Sequence, residues 1–400
     1  MGILVLKPGS PNCARFALDR AWSNVVFWLL GVESTREDQL PVRPLLRFFV
    51  FAVHLLAALL LAVPSQAEPI AKRLFGAKKL PAALKPAVHG FYSKGCLQGA
   101  VAVPRDGPTW QAMRLSRNRR WGHPELVKMV VDLSQQGKRV GWNGLLVGDL
   151  SQPRGGPMLT GHASHQLGLD ADIWLTPMPD RRLTYKEREQ LSATSMLTWK
   201  RNSRGKLYLD QSTLNRKVFT KAHFGIIKTA ASFPNVQRVL VHPTIKRELC
   251  RRETGNRKWL HKVRPYWGHH YHMHIRIFCP DGSPNCRSQA PVKADDGCGA
   301  ELKYWARLLN PPKPKKKKKP TVVKKKPKPR KPKPQIRMAD LPGACRVVLK
   351  ANGPANAQAA TLRLADGQAF VPTPKAVPAA VAVEQVIVDR IATPTFRPRN

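Results

Sequence analysis

The chain has 400 residues, 68 of them Lys or Arg against 25 Asp or Glu, and a formal net charge of +43. That length holds one large domain with appendages, and that charge asks for a polyanionic neighbourhood: nucleic acid, anionic lipid head groups or an acidic cell-wall polymer. No zinc-finger spacing, aromatic RNA-binding run or phosphate-cradling loop accompanies the charge, so nucleic acid has no support beyond it.

Residues 1–67 read as an N-terminal extension and signal peptide. Arg43 and Arg47 precede sixteen uncharged residues, Phe48–Val63, and then Pro64-Ser65-Gln66-Ala67. A basic stretch, an apolar run (48–63) and a small-x-small site make a secretory signal. An uncleaved membrane anchor is the rival reading, although the run falls short of the ~20 residues of a span. A translation start near Val42 would give this signal its usual place.

Residues 68–89 are a basic lead-in, and a catalytic domain is expected over 90–310. Pro124–Gln136 reads as an amphipathic helix: Pro124 suits the first turn, Leu126, Val127, Val130, Val131 and Leu133 form an apolar stripe, and Gly137 ends it. Gly144–Asp149 reads as a short strand and Gln152–Pro157 as a loop. Tyr185–Leu191 and Lys217–Ala231 read as helices, Val236–Val241 as a strand, and the residues after His242-Pro243 as a helix reaching Cys250. His123 and His242, each directly before a proline, are expected to have structural roles, His123 at its helix start. From Pro311 to Arg337 the chain is almost wholly Lys, Arg and Pro, which cannot bury a core and is expected to form a solvated, disordered linker. Residues 338–400 are expected to be a C-terminal extension, mostly disordered.

Two windows carry the chemistry. Gly161-His162-Ala163-Ser164-His165 leads into Leu169-Asp170-Ala171-Asp172, and His269, His270, His272 and His274 follow about a hundred residues later. Both windows end in a period of two. Asp170, Asp172 and Trp174 oppose Leu169, Ala171, Ile173 and Leu175, while His272, His274 and Arg276 oppose Met273, Ile275 and Ile277. The expectation is two half-buried strands, each offering polar ligands from one side. Zinc takes imidazole nitrogen and carboxylate oxygen in a tetrahedron, and a catalytic site leaves one position for water. His165, Asp172 and His274 are the expected ligands, with His162 as a further contact or an orienting partner. His272, roughly 6–7 Å along the strand from His274, is expected close to the metal as general base or oxyanion donor.

These windows resemble the penicillin-insensitive murein endopeptidase family, part of the LAS group of zinc metallopeptidases. The group's pattern is His-x6-Asp followed much later by His-x-His, matched here by His165, Asp172 and His272-Met273-His274. The similarity extends to Lys94-Gly95-Cys96, Arg119-Arg120-Trp121-Gly122-His123-Pro124, Lys262-Val263-Arg264-Pro265 and Asp296-Gly297-Cys298-Gly299. It implies an α+β, LAS-type fold with a central antiparallel sheet carrying the zinc and helices packed around it. It further implies hydrolysis of D-alanyl–meso-diaminopimelyl cross-links of peptidoglycan in the periplasm, by a zinc-activated water. No nucleophilic serine is needed, hence insensitivity to penicillin. Relatives bring an Asp and a His from a later loop toward metal; the matching stretch 202–207 offers Arg204 and Leu207 instead, so one zinc is the expectation. Tyr266, Trp267, His269 and Arg264 are candidates for holding substrate, and Arg276 offers a second fork for a carboxylate. Core packing of the aromatics and ordinary salt bridging of the arginines are the plainer alternatives.

Of seven cysteines, Cys13 precedes the signal and six remain, which allow fifteen pairings. The resemblance implies Cys96–Cys345, Cys250–Cys298 and Cys279–Cys286, the first tying the extension back to the domain. Reduced thiols or a second zinc site compete with this, although no Cys-x2-Cys pair exists. A D,D- or L,D-carboxypeptidase, or a non-enzymatic wall-binding protein on the same fold, are the alternative functions. The Lys/Pro-rich segment could attach the protein to anionic envelope polymers.

Overall fold

The computed structural model describes residues 68–311 and 334–363. The apolar run 48–63, Cys13, most of the Lys/Pro-rich stretch and residues 364–400 lie outside the described residues. The described chain opens with α1 (Ala71–Gly76), β1 (Ala87–Phe91), β2 (Lys94–Gln98), β3 (Val101–Ala102), β4 (Asp106–Gly107), β5 (Trp110–Ala112) and β6 (Trp121–Gly122). It continues through α2 (Pro124–Gly137), β7 (Leu145–Val147), β8 (Asp170–Trp174), α3 (Tyr185–Gln190), β9 (Leu197–Arg201), β10 (Leu207–Leu214) and α4 (Lys221–Ser232). β11 (Val236–Val241), α5 (Pro243–Arg252), β12 (Val263–Pro265), β13 (His272–Ile277), α6 (Ala300–Leu309) and α7 (Ala344–Lys350) complete it.

Seven strands make one sheet in the order β12-β11-β13-β8-β7-β5-β4. The expected antiparallel sheet is corrected to a mixed one. The run β11-β13-β8-β7 is antiparallel, but β12 joins β11 in parallel and β5 joins β7 in parallel. The reason lies in the connections. α5 separates β11 from β12 and α2 separates β5 from β7, and a helical crossover returns the chain in the same direction where a hairpin reverses it.

The period of two decides which face is core. Ala171 and Ile173 of β8 and Met273, Ile275 and Ile277 of β13 join Val127, Val130, Ile226, Ile227 and Ala230 of α2 and α4 in one buried cluster. The opposite face is not half-exposed as expected: every residue of β8 and β13 is buried. The β1–β2 turn covers its Arg276 end. Tyr92 donates its hydroxyl to the Ile277 carbonyl at 2.8 Å, and its ring lies 4.0 Å from the Arg276 guanidinium.

The two proline-led helices start as expected. His123 Nδ1 accepts from Glu125 N at 3.4 Å, and His242 Nδ1 accepts from Thr244 N at 3.2 Å, so each imidazole caps its helix. α4 begins four residues later than expected, because the Asn215 carboxamide holds Lys217 in a turn and Thr220 pairs with His223 at the helix start.

A second cluster joins the two ends of the described chain. Phe75 of α1 packs with Met338, Leu341 and Val348, around Cys96 and Cys345. Ala71 N donates to Ile336 O at 3.0 Å, so residues 334–337 of the expected linker belong to the fold. Residues 338–363 contribute α7, and Leu362 N donates to Ala102 O at 2.9 Å. Composition hid this, since backbone pairing needs no apolar side chain. Arg154, buried here, donates to the carbonyls of Val348, Leu349 and Ala351 at 2.6–2.9 Å and so closes the C-terminus of α7. The disulfides present are Cys96–Cys345, Cys250–Cys298 and Cys279–Cys286. Among the described residues no helix is long and apolar enough to cross a membrane.

Candidate metal centre

β8 and β13 lie side by side with His274 opposite Asp172 and Arg276 opposite Asp170. Opposed residues of such a pair point the same way, so a carboxylate and an imidazole meet. The loop ahead of β8 brings His165 to them. Its backbone turns at φ +68°, uncommon for a residue with a side chain. Gly168 follows at φ +65°, where a Cβ would meet Leu97 Cδ2 at 2.4 Å. Asp170 Oδ2 secures the turn by accepting from His165 N at 2.9 Å.

Asp172 Oδ1 is the hub. It lies 3.5 Å from His165 Nε2, 3.1 Å from His274 Nδ1 and 3.6 Å from His272 Nε2, and Oδ2 lies 3.5 Å from His162 Nδ1. Ligand atoms of His162, His165 and Asp172 all fall within 4.8 Å of one another. Zinc bonds of about 2.0–2.1 Å directed to the corners of a tetrahedron put ligand atoms roughly 3.3 Å apart. The spacing suits such an ion.

Each imidazole except His272 has one nitrogen held and the other turned inward. His165 Nδ1 lies 2.5 Å from Leu150 O, His274 Nε2 2.9 Å from Asp170 Oδ1, and His162 Nε2 3.0 Å from Asp149 Oδ2. That is how metal ligands are oriented. The inward atoms His165 Nε2 and Asp172 Oδ1 are buried without a hydrogen-bond partner, as is His272 Nδ1. Buried polar atoms are costly unless satisfied, and one cation would satisfy the inward pair. The residues present therefore fit a metal ion.

The electrostatics agree. Burial alone would raise the Asp172 carboxyl, but His272 and His165 outweigh it and hold the group well below the usual range. Asp170 is likewise pushed up by burial and pulled far lower by Arg276 and His274. At Asp149 burial is outweighed by the His162 hydrogen bond and the charges of Arg117 and Arg119, leaving it at about 2. Burial lowers His272 to about 4, so its imidazole is neutral at pH 7.

The centre opens into a cleft of about 870 Å³ whose walls include His162, His269, His274, Tyr266 and Arg264. Tyr266 is exposed, and its ring stands 5.4 Å from His269 and 6.1 Å from Trp305 of α6. Trp267 is not part of this wall: its ring faces His242 at 6.0 Å, and its carbonyl partners His269 Nδ1. Arg264 lines the cleft with its guanidinium paired to Asp295 at 3.2 Å and Glu301 at 2.7 Å. Arg276 grips Asp170 through two nitrogens, at 2.6 and 3.3 Å. Both arginines thus follow the plainer salt-bridge reading. Residues 202–206 form the turn of the β9–β10 hairpin and Leu207 opens β10, and none of them joins the His162, His165 and Asp172 group.

Sequence reasoning left Asp170 and Asp149 without roles. Asp170 shares the ligand face with Asp172 and pairs across the strands with Arg276, a signal readable from the period of two. Asp149 gives no such signal, because its link to His162 spans a loop.

A buried cluster of histidines and one carboxylate on a mixed sheet, beside an open cleft, defines an α+β protein with a site that could hold a metal ion. Comparison with known proteins makes the class specific. The profile of the penicillin-insensitive murein endopeptidase family matches residues 88–350, and the chain belongs to that family. A penicillin-insensitive murein endopeptidase of Haemophilus influenzae is 42% identical over 227 residues, 56% of this chain and 74% of that protein. Its namesakes in Klebsiella pneumoniae (strain ATCC 700721 / MGH 78578) and Escherichia coli (strain K12) are 40% and 38% identical over 225 residues, 56% of this chain and 77% of each.

Proposed function

We propose that the protein is a zinc-dependent peptidoglycan endopeptidase of the LAS type, cutting D-alanyl–meso-diaminopimelyl cross-links in the periplasm. The observation that carries this reading is the meeting of His165 Nε2 and His274 Nδ1 at Asp172 Oδ1, with both imidazoles oriented from behind. The relatives are murein endopeptidases by name, which supports the substrate class. His165, Asp172 and His274 would hold the zinc, with His162 as a further contact or an orienting partner. When bound, zinc supplies a Lewis acid that polarises the scissile carbonyl and lowers the pKa of water toward 7.

His272, neutral and without an anchoring partner, accepts the proton of the attacking water and returns it to the departing amine. Tyr266 and His269 flank the cleft where the peptide lies. Penicillin insensitivity follows because no nucleophilic serine belongs to this set. Three disulfides support an oxidising compartment, in keeping with an export signal ending at Ala67. The Lys/Pro-rich segment attaches the enzyme to anionic envelope polymers.

Exhaustive chelation of the purified protein is expected to abolish release of monomers from cross-linked muropeptides, and added zinc to restore it. Turnover that survives chelation would refute the metal assignment.

A further inference from the structure

Three guanidiniums line the cleft wall: Arg264 of β12, Arg238 of β11 and Arg276 of β13. In register, Arg238 lies opposite Arg276, and Leu240 opposite both Arg264 and His274. Two of the three carry their own anions, Arg264 with Asp295 and Glu301, Arg276 with Asp170. Arg238 differs. One terminal nitrogen donates to the Ala290 carbonyl, and Nε is buried without an acceptor. Among the described residues no carboxylate pairs with it.

A guanidinium half-buried between two like charges is unfavourable unless an anion arrives. Burial, then Arg276 and Arg264, disfavour its charged form, an imbalance that a ligand carboxylate would relieve. Its position is suited to one. Leu240 neighbours the ligand His274, and Arg238 lies two residues further along β11, roughly 6–7 Å away. In the cross-link proposed above, the carbon bearing the scissile amide nitrogen also bears a free carboxylate. That group therefore lies a few bonds from the carbon under attack, within reach of an arginine one strand repeat away.

We propose that Arg238 is the carboxylate-recognition residue of this cleft, pairing the free carboxylate on the amine side of the scissile amide. This rests on the peptidase reading. A guanidinium fork matches carboxylate geometry, which makes the contact selective as well as attractive.

The test uses the full chain with its metal and three cross-linked muropeptides: one unmodified, one with this carboxylate converted to carboxamide, one amidated at a different stem carboxylate. Losing a charge-assisted hydrogen bond is expected to raise the wild-type KM about 10- to 100-fold for the second peptide only, with kcat little changed. Arg238→Gln is expected to impose a similar rise on the unmodified peptide and almost none on the second, and Arg238→Lys to fall between. Calorimetric binding of the amine-side product peptide, free or amidated, to chelator-treated protein should show the same discrimination without turnover.

A wild-type KM indifferent to the first amidation overturns the assignment, and needs no variant to fold. So does an Arg238→Gln effect equal on both peptides, or a KM that responds only to the other amidation. In those outcomes cleavage persists and the peptidase reading stands. A wild type that cleaves none of the three ends both.

Discussion

His272 and His274 project from the same face of one strand, yet their surroundings divide the labour between them. Asp170 holds Nε2 of His274 and leaves Nδ1 facing Asp172, whereas His272 Nδ1 is buried with no partner. His274→Ala is expected to lose stoichiometric zinc by elemental analysis. His272→Ala is expected to retain zinc while turnover falls about 10²- to 10⁴-fold, the usual span for a general base. Equal zinc in both variants would contradict this division. Asp170 itself accepts from His165 N, His274 Nε2 and Arg276, so one carboxylate orients two of the proposed ligands. Asp170→Asn should weaken zinc about 10- to 100-fold. It should also cost about 3 kcal/mol of stability, since Arg276 stays buried with half its partner gone. Competition with a metal indicator and urea denaturation would measure the two effects.

The helices begin on histidines that must stay neutral. His123 and His242 cap α2 and α5, and His223, in the first turn of α4, accepts from Thr220 N at 3.1 Å while its other nitrogen meets Leu175 O at 2.9 Å. Burial lowers His123 and His223 to about 4 and His242 to about 3, from an ordinary 6.5. Below pH 6.5 the unfolded chain takes up protons that the folded chain refuses. Stability is therefore full above 6.5 and falls as pH drops through the window from 6.5 toward 3–4. Each histidine adds a slope of up to about 1.4 kcal/mol per pH unit. His242→Asn keeps a capping oxygen and removes one titrating group, so urea midpoints measured between pH 7.5 and 4.5 should fall less steeply than in the wild type. An unchanged slope would mean that His242 does not titrate on unfolding.

At the scale of the molecule, the Cys96–Cys345 bridge spans 249 residues and fastens α7 to β2, while Arg154 closes the other end of that helix. Cys345→Ser is expected to cost about 2–5 kcal/mol. Limited proteolysis should then cut within residues 334–363 first, ahead of the central sheet, because the small cluster around Phe75, the Arg154 contacts and a few backbone hydrogen bonds then hold that segment without a covalent tie. Cleavage that begins elsewhere would show that the segment is secured without the disulfide.

The alternation in 169–175 and 271–278 named both site strands and chose their core faces, because a period of two admits little else beside a buried sheet. The proline-led helices and the histidine spacing were equally legible, since local backbone chemistry sets them. Other features lay beyond local pattern. The parallel joining of β12 and β5, the packing of Tyr92 on Arg276, the placing of Trp267 against His242 and the docking of residues 334–363 all depend on segments distant in the chain. The order of residues determined which groups could bind a cation. Only long-range packing decided which nitrogen each imidazole turns inward, because the partners Leu150, Asp149 and Asp170 are delivered by other loops and strands.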